Sequence, residues 1–309
     1  MKKILLSLTF LVIITGAFAQ DNRAWWESLS PAWKKIFLQN QYKGKEVDPT
    51  DEQLDAMISG IIFLDCSGNR EITDLKPLAR LRALQKLDCS NTEIKSLEGI
   101  EGLSNLKDLN CSNNDNINSL IPVTNLRNLE SLNCGNTMVK SLAPIANLMN
   151  LRKLDVHFCT INQIAQLMDL KKLISLNVSQ NATLYSLNGI EKMADLVSLD
   201  CSETSISDLT PLQNMKYLEY LNVASTKIAT LRPIQLVRTI KDVDFSDTRI
   251  SAASLDYFYS HYAVAMMRGR NLEVTQKQID DFTASFQRKF PSCTIVITPK
   301  EETTGRLNH

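Results

Sequence analysis

The stretch Leu84-Gln-Lys-Leu87-Asp-Cys89-Ser-Asn-Thr92-Glu-Ile94-Lys-Ser-Leu97-Glu-Gly-Ile100-Glu-Gly-Leu103 decides the fold. Counting Leu84 as position 1, apolar residues fall at positions 1, 4, 6, 11, 14, 17 and 20. The spacing of two at positions 4 and 6 predicts a short strand with alternate side chains facing inward. The spacing of three from position 11 onward suits a tight return path, partly 3₁₀. The pattern restarts at Ile61, Leu84, Leu106, Leu129, Leu151, Leu173, Leu196, Leu218 and Ile240, in steps of 22 or 23 residues. Self-similarity at a fixed period means a solenoid. No repeat could bury its apolar edge alone, so stacking must create one continuous core.

This pattern resembles the leucine-rich repeat, and within it the 22-residue subtype of the bacterial internalins and of a regulatory subunit of protein phosphatase 1. The resemblance spans about 61–261. It implies an α/β architecture: a curved parallel β-sheet on the concave face, short 3₁₀ or irregular convex segments, and helical caps at both ends. It also implies a secreted, non-catalytic module that recognises a protein or a surface glycan through the concave face. A structural component of the cell envelope is the alternative.

Within the frame, position 6 holds Cys66, Cys89, Cys111, Cys134 and Cys201, alternating with Val156, Val178, Val223 and Phe245. A slot that accepts Cys, Val or Phe is a buried apolar slot, so the cysteines read as reduced core thiols. There is no C-x-x-C and no Cys/His spacing for a metal. Position 9 reads as an internal hydrogen-bonding post, with Asn69, Asn114 and Asn181 in the longer repeats. Thr92, Thr137, Thr204, Thr226 and Thr248 occupy it in the shorter ones, and Cys159 departs from both. Two residues beyond position 14, Pro77, Pro122, Pro144, Pro211 and Pro233 recur, with Gly99 and Gly189 as substitutes. Proline is tolerated where a helical turn starts, because that N–H has no partner anyway.

The flanks divide the chain. Lys2 and Lys3, the apolar run Ile4 to Ile14 and Ala17-Phe18-Ala19 predict a secretory signal peptide over 1–19. Its apolar run is shorter than the roughly 20 residues a membrane-spanning helix needs. The product is expected in the periplasm or outside the cell. Residues 20–60 are expected to form a helical cap. Ser30-Pro31 opens a helix carrying Trp33, Ile36 and Phe37, and Thr50 with Gln53 makes a capping-box pattern. Trp25, Trp26 and Trp33 read as a hydrophobic lid rather than an aromatic binding platform. The array runs over 61–261 and a helix-plus-strand cap over 262–299. Leu255, Phe258 and Tyr262 should share one helical face, Ile279, Phe282 and Phe286 another, and Cys293 to Thr298 the last strand. A polar tail covers 300–309.

Charge narrows the function. Lys and Arg total 34 against 34 Asp and Glu, a formal net charge of zero. That balance supports no nucleic-acid partner. No segment after the leader is long and apolar enough to span a membrane. The histidines His157, His261 and His309 are scattered, and no phosphate loop, nucleophile elbow or metal-ligand pair occurs. No enzyme, cofactor or metal is expected. A Cys159–His157 dyad fails on phase, since position 9 points inward and position 7 outward.

Two sets of residues remain for the concave face. Position 5 presents a polar ladder, Asp65, Asp88, Asn110, Asn133, Asp155, Asn177, Asp200, Asn222 and Asp244. Interleaved Asn relieves repulsion between neighbouring acids, and the row reads as a solvated ladder with Asn–Asn hydrogen bonds rather than a ligand site. The partner site is expected where the repeat becomes unusual. Ile174 and Val197 at position 2 and Tyr220 at position 3 would form an apolar strip if exposed. Arg152 and Lys153 flank it, and His157-Phe158 sits on the opposite edge.

Overall fold

A computed structural model describes residues 21–260 and 263–300. The expected signal peptide, His261, Tyr262 and the expected tail beyond Lys300 lie outside the described residues. The chain divides into two compact bodies, with the boundary between Leu129 and Glu130.

The first body opens with three helices, α1 (residues 21–28), α2 (Pro31–Tyr42) and α3 (Asp51–Gly60). The Ser30 hydroxyl accepts the Trp33 N–H at 3.3 Å, with Pro31 opening α2. Thr50 and Gln53 close the reciprocal capping box their spacing predicts. Trp25, Trp26 and Trp33 are buried around Phe37, whose ring centroid lies 5.6 Å from that of Trp33. The Trp25 indole N–H donates to the Pro77 carbonyl at 3.2 Å, so the aromatic cluster is a lid pinned to the first repeat. Three parallel strands follow, β1 (Phe63–Asp65), β2 (Lys86–Asp88) and β3 (Asp108–Asn110). The outer edge of β1 is covered: Asn40 of α2 donates from Nδ2 to the Phe63 carbonyl at 2.9 Å.

The second body carries eight parallel strands paired in sequence order. These are β4 (Ser131–Asn133), β5 (Lys153–Asp155), β6 (Ser175–Asn177), β7 (Ser198–Asp200), β8 (Tyr220–Asn222), β9 (Asp242–Asp244), β10 (Met266–Leu272) and β11 (Thr294–Pro299). In β1 to β9 the middle residue, position 4, is buried and its neighbours face solvent at least in part. Within each body the position-6 N–H donates to the position-5 carbonyl of the next repeat, as from Cys66 to Asp88 at 2.8 Å and from Cys201 to Asn222 at 2.9 Å. Position 8 then turns left-handed in repeat after repeat, from Asn91 (φ 54°) to Asp247 (φ 55°). The return path is a short 3₁₀ turn opened by proline at Pro77, Pro122, Pro144, Pro211 and Pro233.

Position 9 is the post the chemistry requires. Asn181 donates from Nδ2 to the carbonyls of Val156, Val178 and Ser179 at 2.9 to 3.1 Å and accepts the Ile161 N–H at 3.2 Å. Asn114 has a like set of partners. Thr204 makes a single short bond, 2.7 Å to the Cys201 carbonyl. Asn69 differs from the other two, because it is half-exposed and among the described residues its side chain holds the Glu71 N–H alone, at 2.9 Å.

The far end departs from expectation. Instead of one helix carrying Leu255 and Phe258, α4 (Ala252–Leu255) gives way to a 3₁₀ turn over Asp256–Ser260, with both side chains still buried. Strand β10 was not expected from the sequence. It behaves as a tenth repeat: Phe245 N–H donates to Arg268 O at 2.9 Å and Asn271 turns left-handed at φ 56°. Its position 6 is Gly269, where a Cβ would collide with the Phe245 ring. The large residue in the ninth repeat thus takes the volume of the next one. Helix α5 (Gln276–Lys289), opened by the Thr275/Gln278 capping box, buries Ile279, Phe282 and Phe286.

Candidate functional site

The ladder at position 5 comes first, because it shapes the strand face. Each Oδ1 is spent on its own chain. It accepts the N–H of position 7, from Ser67 at 2.9 Å on Asp65 to Ser246 at 2.9 Å on Asp244. Where position 7 is Ser90, Ser112, Ser179 or Ser202, the hydroxyl donates to the same oxygen at 2.6 to 2.8 Å. The expected Asn–Asn bonds are instead Asn-to-Asp bonds. Asn110 donates to Asp88 at 3.0 Å, Asn177 to Asp155 at 3.3 Å and Asn222 to Asp200 at 3.0 Å. An amide N–H is the donor a carboxylate lacks, so the strict alternation of acid and amide from Asn133 to Asp244 has a chemical reason. Asn133 holds only the Gly135 N–H among these bonds, at 3.0 Å. Asp244 ends the row on the Arg268 guanidinium at 3.0 Å, and the same Arg pairs with Asp242.

The unusual residues fall in two clusters on opposite edges of the strands. Arg152, Ile174, Val197 and Tyr220 form a continuous row. Ile174 N–H donates to Arg152 O at 2.8 Å, Val197 N–H to Ile174 O at 2.9 Å and Tyr220 N–H to Val197 O at 3.0 Å. Tyr220 is exposed, at 47% of its surface. Ile174 and Val197 are half-buried rather than fully exposed, because this stitching brings their side chains side by side at strand spacing, where each shields the next. The sequence reading missed Tyr217, which is 56% exposed one residue before Leu218. The signal was available, since corresponding positions hold Asn105 and Asn128, whose amides tie back to the preceding repeat.

The second cluster is His157 and Phe158. His157 Nδ1 lies 2.7 Å from Asp155 Oδ1, and its N–H donates to the same oxygen at 3.0 Å. The ring fits because the preceding repeat has Gly135 at position 7, where a Cβ would overlap the imidazole. Phe158 occupies the left-handed position 8 at φ 48° with 58% of its surface exposed. Other repeats place Asn, Gly, Ser, Asp, Gln or Glu there. A bulky side chain in this region is strained, at a cost of about 1–3 kcal/mol.

Basic side chains along the strands differ in their pairing. Lys241 is paired with Glu219 at 2.7 Å, and Arg268 with two carboxylates. Arg152 and Lys153 are exposed and have no ion pair among the described residues. The seven thiols are buried. Burial pushes Cys66 up to about 12 and raises Cys89 and Cys201 strongly. Cys159 is buried, accepting or donating at 3.4 Å with Thr137 Oγ1, and burial raises its thiol too. It shares no contact with His157 in the bonds each makes, so the two do not form a dyad. Among the described residues no cluster of His, Cys, Asp or Glu could hold a metal ion.

Strand, left-handed corner, internal post and 3₁₀ return together define a leucine-rich repeat solenoid. Residues 82–128 match the family model described as Leucine Rich repeats (2 copies). Solved structures with this fold include an internalin (inlF) from Listeria monocytogenes, at a TM-score of 0.59 and 16% identity, covering 88% of this chain and 89% of that one. Internalin C2 (inlC2) of the same organism gives 0.65 and 21%, over 70% of this chain and 93% of its own. The functional domain of InlJ from L. monocytogenes, described as including a cysteine ladder, gives 0.68 and 18%, over 90% of this chain and 61% of its own. No curated protein matches this sequence. No described helix is long and apolar enough to cross a membrane.

Proposed function

We propose that this chain is a secreted, non-catalytic recognition module. It binds a protein partner through the strand face between its fifth and eighth repeats. One observation carries the reading: Phe158 is held exposed in a left-handed conformation that the frame fills elsewhere with small or polar residues. Backbone strain of that kind gathers at binding sites, and a few aromatic and Arg side chains usually carry most of the energy of a protein interface. The unpaired charges of Arg152 and Lys153 favour a partner surface that brings carboxylates. Tyr220 and Tyr217 supply the apolar rim, with Ile174 and Val197 as its floor. The signal-peptide pattern of residues 1–19 supports a location in the periplasm or outside the cell. An envelope scaffold is the second reading, favoured by a position-5 ladder whose hydrogen-bonding capacity is largely consumed within the chain.

The test is affinity capture from envelope and host-surface extracts, with Phe158→Asn and Val197→Glu/Tyr220→Ala variants run beside the parent. A partner retained by the parent and lost by the folded variants establishes the site. A partner retained by all of them moves it elsewhere, and loss of secondary structure in Val197→Glu shows that residue to be core.

A further inference from the structure

The two outermost strand edges are treated differently. At β1 the outward carbonyl of Phe63 is taken up by Asn40 of α2. At β11 no described residue pairs with the outward groups. Thr294 N–H donates to Ala265 O at 2.8 Å, so Thr294, Val296 and Thr298 turn their backbone toward β10. Ile295 and Ile297 therefore turn their N–H and C=O groups outward, since both groups of one residue point to the same side. Natural proteins blunt such an edge with charge, proline, a bulge or a covering element. Here Pro299 and the register shift between Gly269 and Leu272 blunt only the last residue of the strand; residues 294–298 are uncharged, all β-branched and free of proline. They also read the same in both directions: Thr-Ile-Val-Ile-Thr.

We infer that β11 is a self-pairing edge through which two copies of this chain join as an antiparallel, two-fold symmetric dimer. The palindrome makes every cross-strand pair homotypic when the axis passes at Val296. Thr294 then lies opposite Thr298, Ile295 opposite Ile297, and Val296 opposite itself. Ile295 and Ile297 form the hydrogen-bonded pairs, exchanging the N–H···O bonds that each edge leaves open. Val296 and the threonines meet on the open face, where β-branched and Thr–Thr pairs across strands are favourable. Lys300 falls opposite Ser292, so no like charges face each other. The two α5 helices run in opposite directions on one face of the joined sheet. The acidic first half of each, with Asp280 and Asp281, therefore lies toward the basic last turn of the other, with Arg288 and Lys289. The inference is independent of the recognition surface proposed above.

The experiment is sedimentation equilibrium of the full chain over a concentration series. The expected result is a reversible dimer. Val296→Lys, which sets two like charges on the axis, should raise the dimer dissociation constant at least about tenfold with an unchanged circular dichroism spectrum. Val296→Cys should form an intermolecular disulfide on mild oxidation, because Cβ atoms of such a pair lie about 4.5–5.5 Å apart. Thr294→Cys, which faces residue 298, should not. This pair keeps the test open if the lysine variant misfolds. A parent chain monomeric at every concentration overturns the inference. So does a dimer indifferent to Val296→Lys without the Val296→Cys cross-link. A monomer that dimerises only after removal of 301–309 overturns it as well, by showing that this segment covers the edge.

Discussion

The fifth and seventh repeats have the same length and a strand at the same three positions, yet they part at three consecutive corner positions. In the seventh, Ser202 and Glu203 lead to Thr204, whose hydroxyl closes the corner on Cys201 at 2.7 Å. In the fifth, His157 and Phe158 lead to Cys159, whose thiol reaches back to the Cys134 carbonyl of the preceding repeat at 3.3 Å. One corner closes on itself; the other leans on its neighbours. The fifth also lacks the proline of the return path. Gln166 stands there instead, with Oε1 buried and no hydrogen-bond partner among the described residues. The repeat with the most exposed chemistry is the one least served by its own frame. Sites of this kind are expected where local consistency is traded for function.

That contrast can be broken at its support. Asn181 of the sixth repeat holds carbonyls from both its own corner and that of the fifth. Asn181→Ala should cost about 3 kcal/mol or more in urea unfolding, because several buried carbonyls lose their donor together. A loss below about 1 kcal/mol would show that the post is dispensable. Phe158→Asn should then stabilise the chain by about 1 kcal/mol, since Asn adopts the left-handed region readily, while abolishing partner capture. Stabilisation without loss of binding would detach the strain from the site. Cys159→Thr should restore the local corner bond and add about 1 kcal/mol. The reverse change, Thr204→Cys, should cost a similar amount, and equal melting temperatures would erase the comparison. Gln166→Pro should add about 0.5–1 kcal/mol by fixing the start of the turn and removing the stranded acceptor.

Much of the frame was readable because it repeats. Strand, proline-led return and position-9 post each recur often enough to announce themselves, and the capping boxes at Thr50 and Thr275 are local signals. What stayed hidden depended on a neighbouring repeat. Strand β10 begins 24 residues after Ile240, counting position 1 at Val264, and carries Met267 and Gly269 where Leu and Cys are usual. Only the knowledge that Phe245 fills its volume makes Gly269 legible. Gly135 is silent until His157 is seen lying over it. The ladder residues were found, but the direction of their bonds depends on which neighbour carries the amide and which the carboxylate. In the proposed contact surface, Phe158 and Tyr220 stood out by residue type. The half-burial of Ile174 and Val197 did not, because it comes from the side chains across the strand.

The exchange of volume between Phe245 and Gly269 limits how this chain could have been assembled. A repeat with Cys or Val at position 6 can follow another such repeat, so most of the array is open to duplication and deletion. The ninth repeat is not. A copy inserted after it would set a side chain against the Phe245 ring, and the terminal β10–β11 module joined to an earlier repeat would leave a hole where that ring belongs. The last repeat and the terminal module are therefore inherited as one piece, and growth or contraction of the array is confined to the repeats before them.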